Sequence, residues 1–170
     1  FMGLFDQPFI GIPPHQKIVM IRYAEFHKIE KNQISETTLF IDFLHLMAQV
    51  GLNPIMKQTG VHLIQPGPQT HDGLLFADHN PKEGKATLGL INRMIADTNE
   101  GQYATPEDEL RQCWHDDMLW WGPTGIGATY TIDRYIQQHQ KPFRTQNEGR
   151  QFNGHICRMA EGNYGGFFGW

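Results

Sequence analysis

Residues 17–29, Lys-Ile-Val-Met-Ile-Arg-Tyr-Ala-Glu-Phe-His-Lys-Ile, decide how this chain is read. The stretch is β-branched and aromatic and alternates with period two, the mark of a strand with two distinct faces. Val19, Ile21, Tyr23, Glu25, His27 and Ile29 share one face; Ile18, Met20, Arg22, Ala24, Phe26 and Lys28 share the other. The polar turn Glu30-Lys31-Asn32-Gln33 leads into a second run, Ile34 to Ile41, so a hairpin is expected. Asp42 follows at a natural N-cap position. Phe43, Leu44, Leu46, Met47 and Val50 then make a short amphipathic helix that Gly51 ends.

Outward from this unit the pattern changes. From Leu52 to Gly84 neither period is sustained, and Pro54, Pro66, Gly67, Pro68 and Pro81 punctuate the segment. Structureless loops beyond about 15 residues are unusual inside one compact domain, so residues 53–84 are expected to be a linker or a functional loop. Helical spacing returns over 85–97 through Leu88, Ile91, Met94 and Ile95. Another helix is expected after Thr105-Pro106-Glu107-Asp108, where a cap, a first-turn proline and acids agree. Leu110, Cys113 and Trp114 form its buried stripe. Next come a short strand from Met118 to Trp121, a glycine loop from Gly122 to Gly127, and a helix from Thr131 to His139 that Lys141-Pro142 is expected to stop. Strands at Phe152 to Met159 and from Asn163 onward, joined at Glu161-Gly162, close the chain. Antiparallel hairpins without parallel crossovers give an α+β class.

The chain has 170 residues, of which 39% are hydrophobic, enough for one ordinary core or two small ones. Fourteen basic against 18 acidic residues leave a net charge of −4, which argues against a nucleic-acid or membrane-surface partner. No apolar run approaches the roughly 18 to 20 residues of a spanning helix. Two cysteines, Cys113 and Cys157, make no disulfide framework, and a reduced, cytoplasmic protein is expected. The chain begins at Phe1 and ends at Trp170 within an apolar, glycine-rich phrase, and is expected to be part of something longer.

Several phrases resemble the SnoaL-like polyketide cyclase family, within the nuclear-transport-factor-like and ketosteroid-isomerase-like superfamily. They are Cys113-Trp-His-Asp-Asp-Met-Leu-Trp-Trp-Gly-Pro-Thr-Gly-Ile-Gly127, His139-Gln-Lys-Pro-Phe143, Gly154-His-Ile-Cys-Arg158 and the run to Phe168-Gly-Trp170. Together they resemble the first half of one such domain. Phe9-Ile-Gly-Ile-Pro-Pro14, Arg22 to Ile29, Gln33 to Asp42 and Met47-Ala-Gln-Val-Gly51 resemble the second half of another copy. The resemblance implies a tandem protein, with residues 1–52 ending one domain and 85–170 beginning the next. It implies a cone-shaped curved antiparallel sheet with packed helices, around a pocket that needs no cofactor. The implied chemistry is general acid/base work on a hydrophobic carbonyl substrate: a proton is removed alpha to a carbonyl, and the carbanion closes a ring, or a related isomerisation or hydrolysis follows. It also implies a homodimer, or pairing with the missing domain halves; the two halves present here are further expected to share one sheet, residues 17–41 bonding to 152–169.

On this resemblance Asp42, at the end of the last strand, is the candidate base, acting best if an apolar pocket raises its pKa. A plain helix N-cap is its other reading. Glu25 is the second candidate, since family members place a pocket acid near its position, with His27 and Tyr23 on the same strand face; a strand-end pair reaching solvent is the alternative. His27, Tyr23, Met118, Trp121, His139, Phe143, His155 and Tyr164 are expected to line the pocket, His139 without catalytic work. His155 and Arg158 fall on opposite strand faces, His155 facing inward. Trp114 reads as core, and the two cysteines as buried small hydrophobes. Thr37-Thr38 stand where the family's cyclases often place His-Trp, which favours a non-catalytic binding or dimerisation module as the rival reading. The glycine loop lacks the Gly-Lys-Ser/Thr ending of a phosphate loop and reads as a tight turn. His62, His71, Asp72, Asp78 and His79 fit no closed metal pattern, so no metal is expected.

Overall fold

The computed structural model describes residues 1–54, 77–147, 149 and 151–169. Most of the expected linker, with His62, His71 and Asp72, therefore lies outside the described residues. Eight strands run β1 (Met2–Phe5), β2 (Lys17–Met20), β3 (Tyr23–Glu30), β4 (Gln33–Ile41), β5 (Leu119–Trp121), β6 (Ala128–Tyr130), β7 (His155–Glu161) and β8 (Tyr164–Gly169). The helices are α1 (Phe43–Gln49), α2 (Pro81–Glu100), α3 (Pro106–Arg111), α4 (Ile132–Tyr135) and α5 (Lys141–Gln146). Each strand pairs only with its neighbour in sequence, giving four two-stranded sheets among the described residues, and the class is α+β. Among the described residues the β3–β4 and β7–β8 hairpins are each a two-stranded sheet. The chain divides into two compact units, residues 1–64 with 121–128, and residues 65–120 with 129–170.

In the first unit the expected strand over 17–29 is two strands. The ladder breaks where Ile21 N–H donates to the Phe1 carbonyl (2.8 Å) and the Arg22 carbonyl accepts from Asp42 N–H (3.0 Å). Before the break β2 pairs with β1, a strand that the sequence reading lacked; after it β3 pairs with β4. The break divides the alternating face. Val19 is buried with Phe5, Ile12 and Leu46, and Ile21, Met47 and Val50 pack on them. Tyr23, Glu25, His27 and Ile29 are left exposed on the β3–β4 hairpin. Ile12 reaches that core through a second tight turn, in which Phe9 and Ile12 exchange both backbone hydrogen bonds around Ile10 (φ 49°) and Gly11 (φ 75°).

The β3–β4 turn is the expected one, with Glu30 opposite Gln33. Lys31 (φ 52°) and Asn32 (φ 61°) are both left-handed, the backbone of a type I′ turn. Asn tolerates that region; Lys pays about 1 kcal/mol there. The double change Lys31→Asn with Asn32→Gly is therefore expected to stabilise the hairpin by about 1 kcal/mol, read as a higher thermal midpoint; an unchanged or lower midpoint refutes it.

In the second unit α2 starts at Pro81, four residues before the expected helix start at Lys85. Asn80 caps it by accepting from Lys82 N–H (3.0 Å), and Pro81 fits the first turn, where an N–H has no partner anyway. Gly101 (φ 63°) ends it. The helix lies directly on the β7–β8 hairpin: a Cβ at Gly84 would stand 3.1 Å from the Ala160 carbonyl, and Thr87 donates to the Gly162 carbonyl at 2.6 Å. A second core gathers Leu110, Ile132 and Ile136, with Trp114, Met118 and Tyr135 against them. Lys141-Pro142 does not stop the helix that begins at Ile132. A π-helical turn, Ile136–Gln140, precedes α5, and Lys141 N–H donates to the carbonyl of Ile136, five residues back. The widened turn gives the Pro142 ring room, so the chain stays helical to Gln146. The penultimate strand begins at His155 and not Phe152, because Gly154 (φ 94°) turns the backbone out of the extended run.

Candidate functional site

The second unit holds a cavity of about 390 Å³. Its wall is helical: Thr98 and Asn99 come from the end of α2, Tyr135 from α4, His139 and Gln140 from the π-helical turn, and Phe143 and Arg144 from α5, with Gln151 and Phe152 beyond. Two features of the local sequence aim these side chains. Thr131 begins the segment at φ 73° and ψ 153°, a region that essentially only glycine visits, so the helix leaves β6 at a strained corner. The π-helical turn then adds a residue to one turn and brings both His139 and Gln140 to the cavity. Such turns recur at functional sites.

His139 sits in an aromatic stack. Its ring lies 4.4 Å from that of Trp120 and nearly parallel at 16°, with Tyr135 at 5.3 Å edge-on and Phe143 at 5.4 Å. Burial lowers the His139 pKa from its ordinary value of 6.5, so the imidazole is neutral at pH 7. No hydrogen bond reaches its ring nitrogens from the described residues. Burial pushes the Tyr135 hydroxyl up to about 12, with Arg144 pulling it down and Glu109 adding to the rise. Tyr135 thus stays a proton donor, and its hydroxyl too has no hydrogen-bond partner among the described residues.

A buried carboxylate organises the polar end. Glu109, 5% exposed, accepts from Arg144 at 3.1 Å and from the Gln140 side-chain amide at 3.5 Å. Arg144 consequently presents a held guanidinium, its charge balanced by Glu109. The arrangement offers a neutral base, a neutral acid and a fixed cation around one cavity of mixed polar and aromatic lining. Those parts suit proton transfer at a carbon next to a carbonyl.

The sequence-predicted residues fall out as follows. His139 and Phe143 line this cavity, and the tryptophan stacked on His139 is Trp120; Trp121, one residue on in β5, is 57% exposed. Met118 packs on the second core and its carbonyl accepts from Thr131 N–H. His155 touches Phe152 (5.0 Å) and Phe167 (4.6 Å), while Tyr164 is exposed at the hairpin turn. His155 and Arg158 do not oppose each other: a register shift between His155 and Cys157 turns the strand, and Arg158 Nε donates to His155 Nδ1 at 3.1 Å. Glu25 and His27 stand 3.4 Å apart on the hairpin surface, and His27 Nδ1 lies 3.0 Å from the Thr37 hydroxyl. This is the strand pair reaching solvent, not a pair in an apolar cleft.

Asp42 is a fully engaged carboxylate. It caps α1 by accepting from His45 N–H (3.0 Å), pairs with Arg22 (2.5 Å) and accepts from Thr124 N–H (3.2 Å). Burial alone raises its pKa, but the amides of Thr124 and His45 and the Arg22 guanidinium together hold it below the ordinary carboxylate value. The raised pKa expected of a catalytic base is not what this site produces. The partner of Asp42 in the glycine loop also settles how that loop works: Pro123 closes it by accepting from Ile126 and Gly127 N–H, and Thr124 gives its amide to the protein's own carboxylate.

The sequence reading missed Glu109, Tyr135, Gln140 and Arg144 as site residues. The four-residue spacing of Tyr135 and His139 and the basic Arg144 beyond Pro142 were the available signals, but the expected helix stop at Lys141 hid them. A second cavity, about 310 Å³, lies at the start of α2 between His79, Lys85 and Glu161. Among the described residues no cluster of three His, Cys, Asp or Glu is placed to hold a metal, and no helix is long and apolar enough to cross a membrane. Comparisons with family models, with curated proteins and with solved structures find no match to this chain.

Proposed function

We propose that the protein binds a hydrophobic, carbonyl-bearing small molecule in the His139 cavity and acts on it by cofactor-independent proton transfer, in the manner of a SnoaL-like polyketide or ester cyclase. The observation that carries this reading is a neutral imidazole, stacked on Trp120 and with no hydrogen bond to its ring from the described residues, in the wall of a cavity of about 390 Å³. In this reading a ring nitrogen of His139 takes the proton alpha to the carbonyl. Negative charge moves to the carbonyl oxygen, where the Tyr135 hydroxyl and the Arg144 guanidinium meet it. The resulting carbon nucleophile attacks a second carbonyl of the same molecule, and the imidazolium returns its proton to the new alkoxide. Because Asp42 is engaged by Arg22, Thr124 and His45, the base is assigned to His139 instead. The same reading takes residues 1–52 and 85–170 as parts of two cone-shaped domains, to whose curved sheets the β3–β4 and β7–β8 hairpins belong.

The test is deuterium exchange at the alpha carbon of 1,3-diketones and β-keto thioesters, followed by proton NMR. Exchange catalysed by the protein is expected to fall at least about 100-fold in His139→Ala. Its pH profile is expected to lose rate on acidification with a pKa below 6.5, because only the neutral ring accepts the proton. Equal exchange by the wild-type protein and His139→Ala sinks the assignment. Binding without exchange supports the second reading, a non-catalytic binding module, which the full engagement of Asp42 favours.

A further inference from the structure

Eight asparagines occur in the chain, and the structure separates one of them from the rest. An asparagine rearranges when the backbone nitrogen of the next residue attacks its side-chain amide carbon. That step needs an N–H at the next position, room beside it, a free side chain and a backbone able to turn. Asn53 and Asn80 precede Pro54 and Pro81, which have no N–H. Asn92 accepts from Arg158 at 2.9 Å, while the side-chain amides of Asn99 and Asn147 donate to the Ile95 and Phe143 carbonyls at 2.8 and 2.9 Å. Asn32 and Asn163 sit in the tight turns of the two long hairpins. Each is followed by a bulky residue, Gln33 or Tyr164, whose backbone is fixed in a strand ladder.

Asn153 meets every condition. It is exposed, lies just before β7 begins at His155, and its side chain makes no hydrogen bond with the described residues. Gly154 follows it, with φ 94° and open space where a Cβ would stand. The Gly154 N–H makes no hydrogen bond to the described residues either. We propose that Asn153-Gly154 is a deamidation site of the folded protein, converting to aspartate and isoaspartate without an enzyme. The Gly154 nitrogen bonds to the Asn153 side-chain carbon and gives up its proton, and the side-chain nitrogen leaves as ammonia. Water then opens the succinimide ring at either carbonyl, so a carboxylate replaces a neutral amide. In sequence the new charge stands between Phe152, in the cavity wall, and His155, whose Nδ1 accepts from Arg158. Opening at the backbone carbonyl also routes the main chain through the side chain, adding a methylene just before β7. The modification is independent of what the cavity binds.

The test incubates the full chain in mildly alkaline buffer, folded and in guanidinium chloride, and follows every asparagine by peptide mass spectrometry. In the folded protein the peptide carrying Asn153 is expected to gain about 1 Da faster than any other asparagine peptide, with isoaspartate detected by isoaspartyl methyltransferase labelling. Its rate in the folded chain is expected to lie within about tenfold of its rate in denaturant, because nothing in the fold protects it. Asn153→Gln should abolish the gain in that peptide. Another asparagine that converts as fast in the folded chain overturns the proposal. So does a folded rate more than about tenfold below the denatured one, or a gain that persists after Asn153→Gln.

Discussion

Asp42→Ala is expected to destabilise the folded chain by about 3 kcal/mol, because one carboxylate serves three structural partners. Loss of the α1 cap costs about 1 kcal/mol. Loss of the ion pair leaves Arg22, whose side chain is 20% exposed, without its carboxylate, and breaking a largely buried pair costs more than breaking a surface one. The third partner is the Thr124 amide, which fastens the glycine loop to the end of β4. The sign of the pH dependence follows from the lowered pKa. A carboxyl whose folded pKa lies below its unfolded value of 3.8 contributes its full stability above that value and loses it as pH falls toward the folded value. Denaturant titrations should therefore show a large gap between wild type and Asp42→Ala at neutral pH that narrows below about pH 4. A gap that is absent at pH 7, or that widens on acidification, contradicts this account.

Ile132→Ala is expected to cost as much or more, about 3 to 4 kcal/mol. Ile132 is 1% exposed and sits between Leu110 and Ile136 in the second core, a site where truncation leaves a cavity. It is also the first residue after the strained Thr131 corner, and its N–H donates to the Asp116 carbonyl at 3.2 Å. Loosening that corner loosens the segment that carries Tyr135 and His139. The near-ultraviolet circular dichroism of the Trp120–His139 stack should weaken in step with the loss of stability. Full retention of both the signal and the unfolding midpoint would show that Ile132 anchors neither.

Local features were legible wherever one short segment contained its own instruction. The turn at Lys31-Asn32, the Asp42 cap, the Thr105 cap and the first-turn Pro106 all act within four or five residues. Tertiary contacts overrode the rest. Period two runs unbroken through 17–29, yet Phe1 and Asp42 take the backbone groups of Ile21 and Arg22 and divide the strand there. Pro142 reads as a stop, but a π-helical turn before it accommodates the ring. At Trp120 and Trp121 the alternation of β5 required a choice between adjacent residues, and only the position of His139 made it.

By itself, then, the sequence determined the hairpin at 23–41, the helix starts after Asp42 and Thr105 and the α+β class, because turn chemistry, capping and side-chain period are short-range. Only the tertiary structure decided the site. It engages Asp42 with Arg22 and Thr124, 20 and 82 residues away, exposes Glu25 and His27 by a strand break, and gathers Tyr135, His139, Gln140 and Arg144 around one cavity, with Trp120 stacked on His139 and Glu109 paired with Arg144. Whether a carboxylate or an imidazole can act as a base depends on which distant groups hydrogen-bond to it and how far it is removed from water. No local pattern encodes either condition.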